Sequence, residues 1–296
     1  MTAIRTHSRL TSARAFTLIE VLVASSVMVI LVGIVAYIAG SVMDSWNRSS
    51  GKLSANAEAR LVLDVVARDL ETAALRNNGM QWLRIEGPAG LAADAPYDAS
   101  DSVVLKLFTL ALDRQDGDGL CAVAYKLEYK STYTGGPSTY ALYRRVVDPQ
   151  NTLTNYLSSG YEDPTDGATV QGSLGGDGIG AADWSAATIT DETNYLAGNI
   201  VEFKVLIYDS SQTLSQPRNG NTNNVVTGNY IFGGSDSNAG VDIPLYADII
   251  LTVVTDQGIQ LLNNIAQNLV TDDPDDVVTQ NSETLIRRVY FQSNPI

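Results

Sequence analysis

From Val21 to Val42 no charged residue interrupts an apolar run, and a helix that crosses a bilayer needs about 20 such residues. Phe16-Thr17-Leu18-Ile19-Glu20 stands immediately before it, and Glu20 is the one acid ahead of Asp44. Past Asp44 the pattern turns amphipathic. No Pro occurs between Asp44 and Asn77, and Gly51 is the only helix-weakening residue there. Leu61, Val62, Val65, Val66, Leu70, Ala73 and Ala74 recur at steps of three and four, which predicts one apolar helix face. Arg60, Asp64, Arg68 and Glu71 fall largely elsewhere, with Asp64 and Arg68 spaced to pair along the helix. Asn77-Asn78-Gly79 supplies a stop signal. A continuous helix from Phe16 to Asn78 spans roughly 90 Å at about 1.5 Å per residue. The alternative is a membrane anchor followed by a separate helix, with the break near Gly51.

After Gly79 the period changes to two. Ser102 to Leu112 reads as a buried strand, and Cys121 to Lys130 alternates with Val123, Tyr125, Leu127 and Tyr129 on one face. Tyr133 to Pro137 predicts a turn, followed by a strand over Tyr140 to Val147. Ile200 to Tyr208 and Tyr246 to Thr255 predict further strands, Gly258 to Val270 a short helix, and Leu285 to Gln292 a closing strand. Two long connections, Asn151 to Gly198 and Asp209 to Asp242, are rich in Gly, Asn and Ser; such loops are often functional. One helix followed by hairpin-linked strands predicts an α+β fold, with a long N-terminal transmembrane and stalk helix packed on an antiparallel sheet. The expected division is a leader over 1–15, a membrane half of the helix over 16–43, an amphipathic stalk over 44–79 and a β-rich globular domain over 80–296.

Charge narrows the partners. The formal net charge is −14, and the leader holds Arg5, Arg9 and Arg14 with no acid, so its removal leaves −17. An acidic surface of this kind repels nucleic acid, which is bound by Lys and Arg displacing counterions from phosphates. The single cysteine, Cys121, forms no intrachain disulfide and opens a strand pattern, which predicts a buried, inert thiol. The only histidine, His7, lies in the leader. A trimmed chain therefore has no imidazole for a Ser-His-Asp or Cys-His nucleophile, and none to ligate zinc.

Other clusters weigh less. Asp113, Asp116 and Asp118 lie close together before Gly119, but their spacing departs from a calcium loop with acids at positions 1, 3 and 5; Asp-Gly there reads as a turn. Asp272-Asp273-Pro274-Asp275-Asp276 reads as a solvated charge run. The glycines between Gly172 and Gly180 miss the dinucleotide fingerprint. Arg144-Arg145 and Arg287-Arg288 are expected to place one side chain inward and one outward on strands. No cofactor or metal is expected.

Arg14-Ala15-Phe16-Thr17-Leu18-Ile19-Glu20 remains. A carboxylate near a membrane helix is expensive, about 2.5–3.5 kcal/mol at its centre, and so normally has a specific partner. A secretory signal fits poorly, since its apolar core runs roughly 7–15 residues. A plain anchor with Arg5, Arg9 and Arg14 on the inner side fits the span but leaves Phe16 to Glu20 unexplained. The segment resembles the signal of type IV prepilins and pseudopilins, which usually reads Gly, then Phe, Thr, Leu, Ile, Glu. That resemblance implies cleavage by a prepilin peptidase between Ala15 and Phe16 and N-methylation of Phe16. It also implies pairing of Glu20 with the N-terminal amine of a neighbouring subunit. Ala15 departs from the Gly usual in the family, which bears on cleavage. Ala59 to Glu71 resembles the same region in J-type minor pseudopilins and W-type minor pilins. Gly117-Asp118-Gly119, Cys121-Ala122-Val123 and Leu142-Tyr143-Arg144 look like short motifs of verrucomicrobial pseudopilin-like cassette proteins. The implied function is a structural subunit, not an enzyme, of a type II secretion or type IV pilus-like filament. It would be inserted once in the inner membrane with a periplasmic domain, and its partners would be other pilin or pseudopilin subunits and the peptidase. A membrane-anchored periplasmic binding module that does not assemble is the alternative.

Overall fold

The computed structural model describes residues 17–76, 81–87, 89–99, 101–111, 119–153, 157, 185–209, 214, 228–232 and 243–292. The chain divides into two compact units, Met1–Ser49 and Ser50–Ile296.

Helix α1 (Leu18–Glu71) begins in the first unit. From Leu18 to Met43 it is long and apolar enough to cross a membrane, with a mean hydropathy of 2.7 and none of its side chains buried. The polar side chains near its start are satisfied by the helix itself. Ser25 and Ser26 both donate to the Leu22 carbonyl, at 2.9 and 2.7 Å, which is how a hydroxyl is accommodated where water is absent.

The second unit holds the C-terminal part of α1 and two antiparallel sheets. The strands are β1 (Leu83–Gly87), β2 (Val104–Thr109), β3 (Cys121–Ser131), β4 (Ser138–Val147), β5 (Tyr195–Gly198), β6 (Ile200–Asp209), β7 (Gly228–Phe232), β8 (Pro244–Val254) and β9 (Ser282–Tyr290). The larger sheet has the order β5-β4-β3-β2-β1-β7 and the smaller β6-β8-β9. Short helices α2 (Pro149–Thr152) and α3 (Ala186–Ile189) follow β4, while α4 (Asp256–Ala266) and α5 (Pro274–Asn281) connect β8 to β9. The fold is α+β with antiparallel sheets, as the switch from helical to two-residue periodicity implies.

Ala55, Ala59, Val62, Leu63, Val66, Ala67 and Leu70 of α1 are buried in one core with residues of both sheets, among them Leu105, Leu107, Tyr125, Phe203 and Leu251. The buried face differs from the expected one: Leu61 is 67% exposed and Val65 only half-buried. Small residues account for the difference. Ala55, Ala59 and Ala67 bring the helix close to the sheets, whereas a count of large apolar positions favours Leu61.

The helix runs through Gly51 without a break but stops at Glu71, short of the expected stop at residues 77–79. The larger sheet takes the chain first. Ala73 bridges Thr109, the Ala74 N–H donates to the Phe108 carbonyl at 2.8 Å, and the Thr72 and Thr109 hydroxyls lie 2.7 Å apart. Residues 77–80 lie outside the described residues.

β3 is buried on both faces from Cys121 to Leu127, not on one. At one end the Thr152 hydroxyl of α2 accepts from the Ala122 N–H at 3.0 Å. Toward the other, Lys126 Nζ donates to the Gly90 carbonyl and the Ala92 N–H donates to Glu128. The turn at Tyr133–Pro137 is closed by the Gly136 N–H on the Tyr133 carbonyl, with Gly135 at φ 82°, a conformation that glycine adopts at no steric cost.

Candidate functional site

Thr17 and Glu20 occupy the N-cap and third helical positions of α1, and they bind each other. The Glu20 N–H donates to Thr17 Oγ1 at 3.3 Å, while the Thr17 N–H and hydroxyl both donate to Glu20 Oε2, at 3.1 and 3.2 Å. This is a reciprocal capping box, in which each side chain satisfies a backbone donor that the helix leaves unpaired. The carboxylate also lies at the positive end of the helix dipole. No hydrogen bond reaches Glu20 Oε1 from any described residue. Glu20, Val21, Ala24, Ser25 and Met28 line a shallow, largely apolar depression on the helix surface. Ala15 and Phe16, the residues at the expected cut, lie outside the described residues, as do the leader arginines and His7.

The remaining candidates serve structure. Asp113, Asp116 and Asp118 lie outside the described residues. The acids of the run at 272–276 are solvent-exposed, as expected, and they also start a helix. Asp273 is the N-cap of α5 and accepts from the Asp275 N–H, Pro274 takes the first turn, and Asp275 and Asp276 sit where the helix dipole favours negative charge. Among the described residues no group of three or more His, Cys, Asp or Glu is arranged to hold a metal ion. Cys121 is buried and in no disulfide, and its thiol donates to the Gly119 carbonyl at 3.8 Å.

Arg144 is half of a contact that periodicity did not announce. Its Nε donates to Asp69 Oδ2 at 2.9 Å and its Nη2 to Asp69 Oδ1 at 3.1 Å. The Tyr125 hydroxyl donates to Asp69 Oδ2, and Arg144 Nε also lies 2.9 Å from that hydroxyl. The forked pair ties α1 to β4, Tyr125 of β3 joins the same carboxylate, and Asp69 is 2% exposed. Burial, then the Asp69 charge, pushes the Tyr125 hydroxyl well above its ordinary pKa, so the tyrosine stays a neutral donor. A signal for Asp69 existed: it stands three residues after Val66 and four before Ala73, on the apolar face.

Arg287 and Arg288 split between faces as alternation requires. Arg287 meets Asp64 of α1, which therefore pairs across to β9 in place of the expected Arg68. Arg288 forks onto Asp248 at 2.7 and 2.8 Å and lies 4.1 Å over the Tyr246 ring. Tyr208, Tyr246 and Tyr290 form a row across the same sheet, with ring centroids 4.6 and 5.7 Å apart.

No family model matches this sequence, and no curated protein matches it. Among solved structures, a type IV-like pilin from Thermus thermophilus is similar, at 10% identity and a TM-score of 0.35, over 80% of this chain and 95% of that one.

Proposed function

We propose that this chain is a minor pseudopilin or minor pilin, a structural subunit of a type II secretion or type IV pilus-like filament in the inner membrane, and not an enzyme. Residues 1–15 form a cytoplasmic leader that a prepilin peptidase removes between Ala15 and Phe16, with N-methylation of Phe16. Residues 16–43 span the membrane once, and the amphipathic stalk and the β-rich domain after them are periplasmic. Glu20 pairs with the terminal amine of a neighbouring pilin or pseudopilin subunit, which offsets the cost of a carboxylate at membrane depth. One observation carries this reading: Phe16-Thr17-Leu18-Ile19-Glu20 stands between a basic leader and an uncharged helix of spanning length.

The capping box favours a second reading, because Glu20 already has local work as a helix cap. In that reading the chain is a lone anchored module whose domain binds its partner without assembling.

Glu20→Gln in the native host separates the two. The filament reading expects the variant to accumulate in the membrane but to lose co-isolation with pilin-like subunits, since the amide has no charge for an ammonium. Normal location together with undiminished co-isolation would overturn it in favour of the anchored module.

A further inference from the structure

The membrane-length part of α1 is longer than the layer it would cross. Leu18–Met43 holds 26 residues, about 39 Å of helix at 1.5 Å per residue, against a hydrocarbon layer of about 30 Å. Length therefore does not fix the depth of the helix, since about 20 residues fill the layer at a time. The two aromatic residues of α1, Tyr37 and Trp46, mark two settings, and both are exposed. With Tyr37 at the far boundary, roughly residues 18–37 fill the hydrocarbon. Glu20 then lies inside it, while the exposed side chains of Ile38, Val42 and Met43 stand outside. With the Trp46 indole at that boundary, roughly residues 24–43 fill the layer. In a single chain Glu20 then reaches the headgroups of the near side, and Ile38, Val42 and Met43 lie in lipid.

Three large apolar side chains and one carboxylate favour the second setting. The Tyr37 hydroxyl opposes it, but a neutral hydroxyl costs less in hydrocarbon than an ionised carboxylate. Trp46 also suits the boundary by its own geometry. It stands about one turn past Met43 and is 71% exposed, and a helical side chain leans toward the N-terminus. The indole therefore reaches back to the level of the last apolar turn, its rings toward lipid tails and its N–H able to donate to lipid carbonyls. We infer that Trp46 is an interfacial anchor: its indole sits in the carbonyl and headgroup layer beyond Met43 and sets the depth of α1. The ligand is the phospholipid surface and not a neighbouring chain, because that surface continues the lipid around a span with no buried side chain. The inference rests on the spanning helix of the proposed reading and is independent of filament assembly.

The test uses the full chain reconstituted at low density in phosphatidylcholine vesicles whose acyl chains carry bromine next to the carbonyls, at mid-chain or at the chain end. Retention on the vesicles through an alkaline carbonate wash reports insertion. Subtracting the emission of Trp46→Phe from that of the parent isolates the Trp46 signal, since Trp82 and Trp184 are common to both. The substitution is at an exposed position and is expected to leave insertion unchanged. The expected result is an emission blue-shifted from that of indole in water, with the greatest loss from bromine next to the carbonyls and the least from bromine at the chain end. An inserted chain whose Trp46 signal is quenched at no depth has its indole in water or against another chain. That result would overturn the anchor and leave the spanning helix standing, as would the greatest loss from bromine at the chain end. A chain stripped from the vesicles by carbonate would overturn the span and this inference with it.

Discussion

Asp69 is the residue on which the helix-to-sheet packing of the second unit turns. A carboxylate 2% exposed is stable only with its charge and lone pairs met, and Arg144 and Tyr125 do so. Asp69→Ala takes the countercharge from a guanidinium whose side chain is 9% exposed, and the expected cost is about 3–5 kcal/mol. Tyr125→Phe removes one donor and leaves the forked pair, so its expected cost is smaller, about 1–2 kcal/mol. Urea unfolding of the full chain in detergent measures both, and equal small effects would mean the triad contributes little. The sequence holds Asp69 in plain view, but beside Arg68 it reads as one of a run of surface charges. Its position on the apolar face was the usable clue; that Arg144 would meet it depends on the spacing between β4 and α1, which no local pattern encodes. Leu61 is the converse case, a large apolar side chain on a helical stripe that the alanine-lined contact leaves outside.

Element by element, the long strands and the buried six-residue β2 were legible and the shorter ones were not. β3, β4, β6, β8 and β9 each run nine residues or more and carry sustained alternation. β1, β5 and β7 have four or five residues, too few for a period, and are strands because a neighbour supplies the ladder. α5 was hidden by its own capping chemistry, since the acids and proline that start it also compose a plausible loop. Asp273→Ala is expected to cost about 1 kcal/mol, as a lost cap does. Gly258 shows how tightly α4 is set. A Cβ there would lie 2.4 Å from Val254 Cγ1 and 2.8 Å from Asn281 Cβ, so Gly258→Ala is expected to destabilise by about 1–3 kcal/mol despite alanine's better helix propensity. Thermal melts of both variants check this; a Gly258→Ala chain as stable as the parent would mean that α4 shifts freely against α5.

For the molecule as a whole, alkaline pH is the sharpest perturbation of the second unit. Burial is the main cause that pushes Tyr97 and Tyr143 up to about 12, with nearby acids and Tyr195 adding to it. Tyr125 and Tyr140 are raised too, again chiefly by burial. A folded pKa above the unfolded value means the native state holds its proton longer. The associated stability is therefore complete below about pH 10 and is lost as pH rises toward about 12. Unfolding midpoints are expected to fall steeply over that window, with tyrosinate absorbance rising together with loss of structure. Ionisation of all tyrosines near pH 10 in a still-folded chain would contradict the burial described.

The central claim concerns the N-terminus, and mass spectrometry of the N-terminal peptide from native-host membranes tests it most directly. The account predicts a chain that begins at N-methylated Phe16. A chain that keeps residues 1–15 in cells with a working prepilin peptidase would contradict it.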